Sequence, residues 1–178
     1  MAKRLRYLVD ANVLMEAKRR YYRFALCPGF WECLAWQHKQ GLVSSIDKVR
    51  KEIEEGRDDL TQWVKKECPK TFFAESTGRS VAQEYGKAMV WVQAHARYSD
   101  AAKAKFALAA DGWLVAHAKV NDLVVVTLEA PAPESRAEVK IPDVCDQFGV
   151  KYADTFEMLE AMNTRFTWEP QSRLRLSR

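Results

Sequence analysis

Asp10, Asp111, Glu129 and one of Glu52 or Glu54 are acidic residues whose places could serve chemistry, although a loop acid such as Glu129 or a helix-face acid such as Glu52 is by itself ordinary. Asp10 closes the apolar run Tyr7-Leu-Val, and Glu129 follows just after Thr127 at the end of Leu123-Val-Val-Val. Asp111 shares one side of a helical stretch with Leu114, Val115 and Ala118, at spacings of three, four and seven, while Lys119 falls on the other side. A carboxylate on an apolar side is costly unless it is paired, protonated or bound to a cation. Capping the helix start is the rival reading of Asp111, and spacing leaves both open. Asp10 is open in the same way, because a strand-end Asp also makes an Asx turn. Glu52 and Glu54 flank the helix face defined by Ile46, Val49 and Ile53 on opposite sides, so periodicity does not choose between them.

Carboxylates that converge without His or Cys would suit a hard, oxygen-preferring cation, magnesium or manganese, but spacing alone does not show that these acids converge. His38, His95 and His117 are scattered and read as surface or satisfied core residues. Cys27, Cys33, Cys68 and Cys145 show no paired C-x-x-C spacing and read as reduced packing residues.

The elements that must position the acids follow from period and breakers. Short apolar runs at 6–10, 42–44, 123–127 and 150–152 read as strands, and Thr71-Phe-Phe as a short edge strand. Helical period is expected after Asn12 (a candidate cap), over 30–40 up to Gly41, around 46–63, over 80–96, over 101–121 with an interruption near Asp111, from Ile141-Pro142 and over 155–162. Strands alternating with helices imply an α/β fold, a three-layer α/β/α sandwich around a mainly parallel sheet. In such sheets ligands bind outside the carboxyl ends of the strands, where Asp10 and Glu129 fall.

The chain has 178 residues, enough for one sizeable core, and a net charge of +4 that permits a polyanionic partner. No apolar run reaches the roughly 18 residues of a membrane span, and the start lacks the apolar region of a secretory signal. A cytoplasmic protein without membrane contact is expected. One domain is expected over 1–162, with a basic, flexible tail over 163–178.

Read together, Asp10 in Tyr-Leu-Val-Asp-Ala-Asn-Val-Leu, Glu52 in Val-Arg-Lys-Glu-Ile, Asp111 in Ala-Asp-Gly-Trp-Leu-Val-Ala-His-Ala and Glu129 in Val-Val-Thr-Leu-Glu resemble the ordered acidic signature of PIN-domain nucleases, the fold of VapC-type toxins. The likeness extends to a prokaryotic PIN-like branch long without an assigned function, through Cys27-Pro-Gly-Phe-Trp, Gly41-Leu-Val-Ser-Ser-Ile-Asp and Lys140-Ile-Pro-Asp-Val-Cys, and runs from about Tyr7 to Met162. One position departs from the pattern: the last acid is usually Asp, and here it is Glu129.

The resemblance implies a magnesium- or manganese-dependent endoribonuclease, the toxin of a toxin–antitoxin pair. Its partners would be an RNA substrate, a cognate antitoxin protein and, in a homodimer, a second copy. It selects Glu52 over Glu54. Asp10 and Asp111 become the principal metal ligands, and Glu52 and Glu129 bind a second metal or orient the attacking water. Asn12 and Thr127 support that shell by hydrogen bonds. Water attacks, leaving a 5′-phosphate and a 3′-hydroxyl. Of the basic stretches (Lys3-Arg4-Arg6, Lys18-Arg19-Arg20-Arg23 and 173–178), the second, interleaved with Tyr21 and Tyr22, is the candidate to grip RNA. Two rivals remain. A haloacid-dehalogenase-type phosphatase wants a second Asp where Asn12 stands, and a non-catalytic PIN-fold module would bind RNA or protein without cutting.

Overall fold

The computed structural model describes residues 4–167; Lys3 and most of the expected tail lie outside them. Five short strands form one sheet in the order β3-β2-β1-β4-β5. They are β1 (Tyr7–Val9), β2 (Val43–Ile46), β3 (Phe73–Ala74), β4 (Val124–Val126) and β5 (Tyr152–Ala153). Every pairing is parallel, with Tyr7 opposite both Val43 and Val124, and Val9 opposite Val126. Leu8, Val9, Val125 and Val126 are wholly buried, as the unbroken apolar runs of a doubly covered parallel sheet require.

The chain walks from β1 outward to β3, then crosses back to β4 and on to β5. Right-handed crossovers therefore put the helices of the two halves on opposite faces. On the first face lie α1 (Ala11–Arg19), α2 (Pro28–Lys39), α3 (Asp47–Glu55) and α4 (Asp59–Lys66), and α1 packs against both α3 and α4. On the second lie α5 (Arg79–Ala94), α6 (Asp100–Leu108), α7 (Asp111–Asn121) and α8 (Ile141–Phe148), where α7 packs against α5, α6, α8 and β4. A last helix, α9 (Thr155–Ala161), opens with a capping box between Asp154 and Glu157. The chain is thus α/β with helices on both faces of a parallel sheet, as expected.

Four local expectations need correction. Ile46 ends β2 and does not share the helix face of Val49 and Ile53. Lys70–Phe72 forms a 3-10 turn, so the edge strand is Phe73–Ala74 and not Thr71-Phe-Phe. Asp10, not Asn12, caps α1: it has extended backbone angles and its carboxylate accepts a 2.6 Å hydrogen bond from Ala11 N–H. Asn12 lies inside the first turn, which frees its amide for β4. The last strand begins at Tyr152 and not at Val150, whose N–H instead bonds Cys145 O across the end of α8. The break near Asp111 falls at Ala109-Ala110, so Asp111 is the first residue of α7. Gly149, at φ 64°, ends α8 in the left-handed conformation that glycine adopts without strain. Among the described residues no helix is long and apolar enough to cross a membrane.

Candidate active site

The strand order reverses between β1 and β4, and a parallel sheet opens its ligand crevice at such a point. Asp10 leaves β1 there and Thr127 leaves β4. Asp10 is buried, 4% exposed. Thr127 Oγ1 donates to its Oδ2 at 3.1 Å, accepts from Asn12 Nδ2 at 3.3 Å and accepts from Glu129 N–H at 3.3 Å. Asn12 Oδ1 in turn accepts from Leu128 N–H at 3.2 Å. One hydroxyl thus fills its whole donor and acceptor capacity by joining the ends of two neighbouring strands.

Asp111 is the first residue of α7 and half-buried, and its carboxylate is turned to its own backbone N–H. Burial and then the Asp111 charge push the Asp10 carboxyl up to about 8, against the pull of the Thr127 and Ala11 hydrogen bonds. Asp111 is pushed up to about 7 by burial, then by Glu129 and Glu52. Like charges facing one another in poor solvent produce this pattern. Glu52 stands on α3, exposed by surface area, yet enough protein surrounds its carboxyl to raise its pKa by desolvation and by Glu55. Glu54 points to Arg50 instead, at 2.9 Å. Of the two glutamates that periodicity left open, Glu52 is the one whose charge acts on Asp111, while Glu54 pairs with Arg50.

Glu129 is placed differently. Its Oε2 accepts from Ile141 N–H at 2.8 Å and its Oε1 from Lys140 Nζ at 3.4 Å, so it anchors the start of α8. Among the described residues no three His, Cys, Asp or Glu side chains lie close enough to form a ready-made metal cage. The donors fit a hard divalent cation in kind: Asp10 and Asp111 are oxygen donors that repel each other, and neither has an ion pair among the described residues. Glu129, as placed, is committed elsewhere.

A family model described as a domain of unknown function (DUF4411) matches residues 7–166. The chain belongs to the DUF4411 family. No curated protein matches it. The match takes in the five strands of the described residues of this DUF4411 chain and all four acids.

The basic stretch of α1 is not brought to the site. It lies at the far end of α1 from Asp10, roughly 13 Å along the helix at 1.5 Å per residue. Lys18 pairs with Asp58 at 2.6 Å and Asp59 at 3.0 Å, Arg19 and Arg20 with Glu16 at 3.3 and 2.7 Å, and Arg23 Nε donates to Arg19 O. A different set of cations, which sequence reading missed, borders the acids of the DUF4411 chain. Lys48, Lys51 and Lys105 share a groove with Glu52 and Trp113. Their only signal was the recurrence of Lys48, Lys51, Glu52 and Glu55 at helical spacing, which is also what a solvated face looks like. His38 is satisfied by Val43 O and Thr71 Oγ1. The Cys68 and Cys145 thiols are buried and pushed up to about 12, as inert packing residues should be.

Proposed function

We propose that this DUF4411 protein is a magnesium- or manganese-dependent endoribonuclease of PIN type. One observation carries the reading. Asp10, buried at the end of β1, and Asp111, half-buried at the start of α7, face one another at the switch point of a parallel sheet as repelling carboxylates without ion pairs among the described residues. A structural pair would be costly there, whereas a cation ligand set requires it.

Asp10 and Asp111 would hold the ion, and Glu129 or Glu52 would complete the donor set. When bound, such a cation supplies a water-derived nucleophile at neutral pH and charge stabilisation at the phosphate. Thr127 fixes the rotamer of Asp10, and Asn12 fixes Thr127. Glu52, the most exposed of the acids, would orient the attacking water. Hydrolysis would leave a 5′-phosphate and a 3′-hydroxyl. The resemblance to VapC-type toxins extends the proposal to a cytoplasmic toxin with an antitoxin partner, able to form a homodimer.

A second reading, a PIN-fold module that binds without cutting, is favoured by one observation: Glu129 is occupied by Ile141 N–H and Lys140. Cleavage separates the two. Purified protein should cut RNA in magnesium or manganese and stop in EDTA. No cutting with either metal would favour the binding module, and equal cutting in EDTA would overturn the metal-dependent reading.

A further inference from the structure

Trp113 sits two residues beyond Asp111, and its ring is arranged as a platform. Tyr85 stacks on it with centroids 3.9 Å apart and planes 12° from parallel. Lys48 Nζ lies 4.5 Å from the same centroid. Two groups this close cannot share a ring face, so Tyr85 backs one face and the ammonium covers the other. Gly112 permits the backing: a Cβ there would meet the Tyr85 ring at 3.0 Å and Phe106 at 3.2 Å.

The platform forms one wall of a groove of about 430 Å³ that Lys51, Glu52, Lys105 and Leu108 also line. Two glutamates, Glu52 and Glu55, line this groove, yet among the described residues neither Lys48 nor Lys51 makes an ion pair. Lys48 rests on the indole instead. Lys105 answers Glu138 at 3.0 Å. The groove therefore holds two ammonium groups without a carboxylate partner among the described residues, one backed aromatic ring and Glu52, whose charge acts on Asp111. Phosphates need the first and an unstacked base needs the second.

We infer that this groove is the strand track of the site: Lys48 and Lys51 take backbone phosphates of a single-stranded RNA segment, and Trp113 takes one unstacked base. Lys48 exchanges the indole for a phosphate as the base exchanges its neighbours for the indole. A paired duplex offers no free base face there, so a single strand is preferred. Only the position of the cut phosphate, beside Asp10 and Asp111, rests on the nuclease reading.

Binding measured without metal lets the two ideas fail separately. The probe is a fluorescein-labelled single-stranded oligoribonucleotide of about ten nucleotides, with a duplex of equal length, titrated with the full chain in EDTA at several salt concentrations. Lys48→Gln with Lys51→Gln should weaken single-strand binding about tenfold and flatten the log–log salt slope by about 1.4, or 0.7 for each of two phosphates. Lys65→Gln with Lys66→Gln, an equal charge loss on α4, should leave the slope unchanged. Trp113→Leu should weaken binding roughly 5- to 100-fold, and Trp113→Phe should restore most of it. The lysine pairs lie on the surface and keep the test valid if Trp113→Leu fails to fold. Equal effects from the two lysine pairs, equal affinity for the duplex, no advantage of Phe over Leu, or no binding would each overturn the track. The expected binding pattern without cleavage in magnesium would instead overturn the nuclease reading alone.

Discussion

Asp10 and Asp111 differ in how their charge is answered. Asp10 accepts from Thr127 and Ala11, whereas Asp111 is answered by its own backbone N–H and by the more distant Lys105 charge. Both were legible in the sequence, Asp10 because it ends an apolar strand and Asp111 because it shares a side with buried residues. Glu129 was legible as an acid but not in its role. Its partners are the Ile141 N–H and a lysine eleven residues on, and no spacing rule links a loop acid to them. Glu52 needed geometry, since only the fold shows that Glu54 turns to Arg50. A kinetic contrast checks that assignment. Glu52→Gln should lower kcat/KM for RNA cleavage at least a hundredfold, the scale of a lost water-orienting group. Glu54→Gln should change it less than twofold, because it removes only an exposed i,i+4 pair worth about 0.3–0.5 kcal/mol. The reverse ranking would show that Glu54 serves the site.

The elements meet through Thr127. Its hydroxyl ties β4 to Asp10 beyond β1 and to Asn12 in α1. Thr127→Val keeps the shape and removes the Thr127 bond from Asp10 Oδ2, Asn12 Nδ2 and Glu129 N–H, while Asp10 keeps Ala11 N–H and Asn12 keeps Leu128 N–H, at a cost of about 1–3 kcal/mol. At roughly 2–4 °C per kcal/mol for a chain of this size, thermal melting should show the loss, and Thr127→Ser should recover it. Equal melting of the Val variant and wild type would mean that the three hydrogen bonds contribute nothing. Local elements were readable because glycine, proline and period act within a few residues: Gly41 ends α2, Gly56 separates α3 from α4, and Pro142 opens α8. Strand order was not readable, nor was the lysine groove, because Lys48 meets Trp113 only once α3 and α7 lie on opposite sides of the crevice. The helix break at Ala109-Ala110 carries no breaker residue; the sequence hint was Asp111 alone.

At the scale of the molecule, the raised carboxyls make folding depend on pH. Asp10 and Asp111 hold protons in the folded state that the unfolded chain releases near 3.8. Their contribution to stability is therefore fully present below about 4 and is lost as pH rises through 7 to 8. Metal-free protein should melt several degrees higher at pH 6.5 than at pH 8. Burial holds the His117 imidazole below 6.5, so it acts in the opposite direction as pH falls through 6.5 and offsets a small part of the gain at pH 6.5. Asp111→Asn removes one of the repelling charges, so it should flatten this dependence; an unchanged slope would place its origin elsewhere. The most direct measurement of the central claim, that Asp10 and Asp111 form a cation site, is the melting temperature of wild type and Asp111→Asn in EDTA and in magnesium. Without metal the variant should melt at the same temperature or higher. Magnesium at a hundredfold excess over its dissociation constant should stabilise wild type by about 2.7 kcal/mol, roughly 5–10 °C, and the variant should lose most of that gain. A metal-free variant that melts several degrees lower, with equal magnesium shifts in both proteins, would make Asp111 a structural helix start and contradict the metal site.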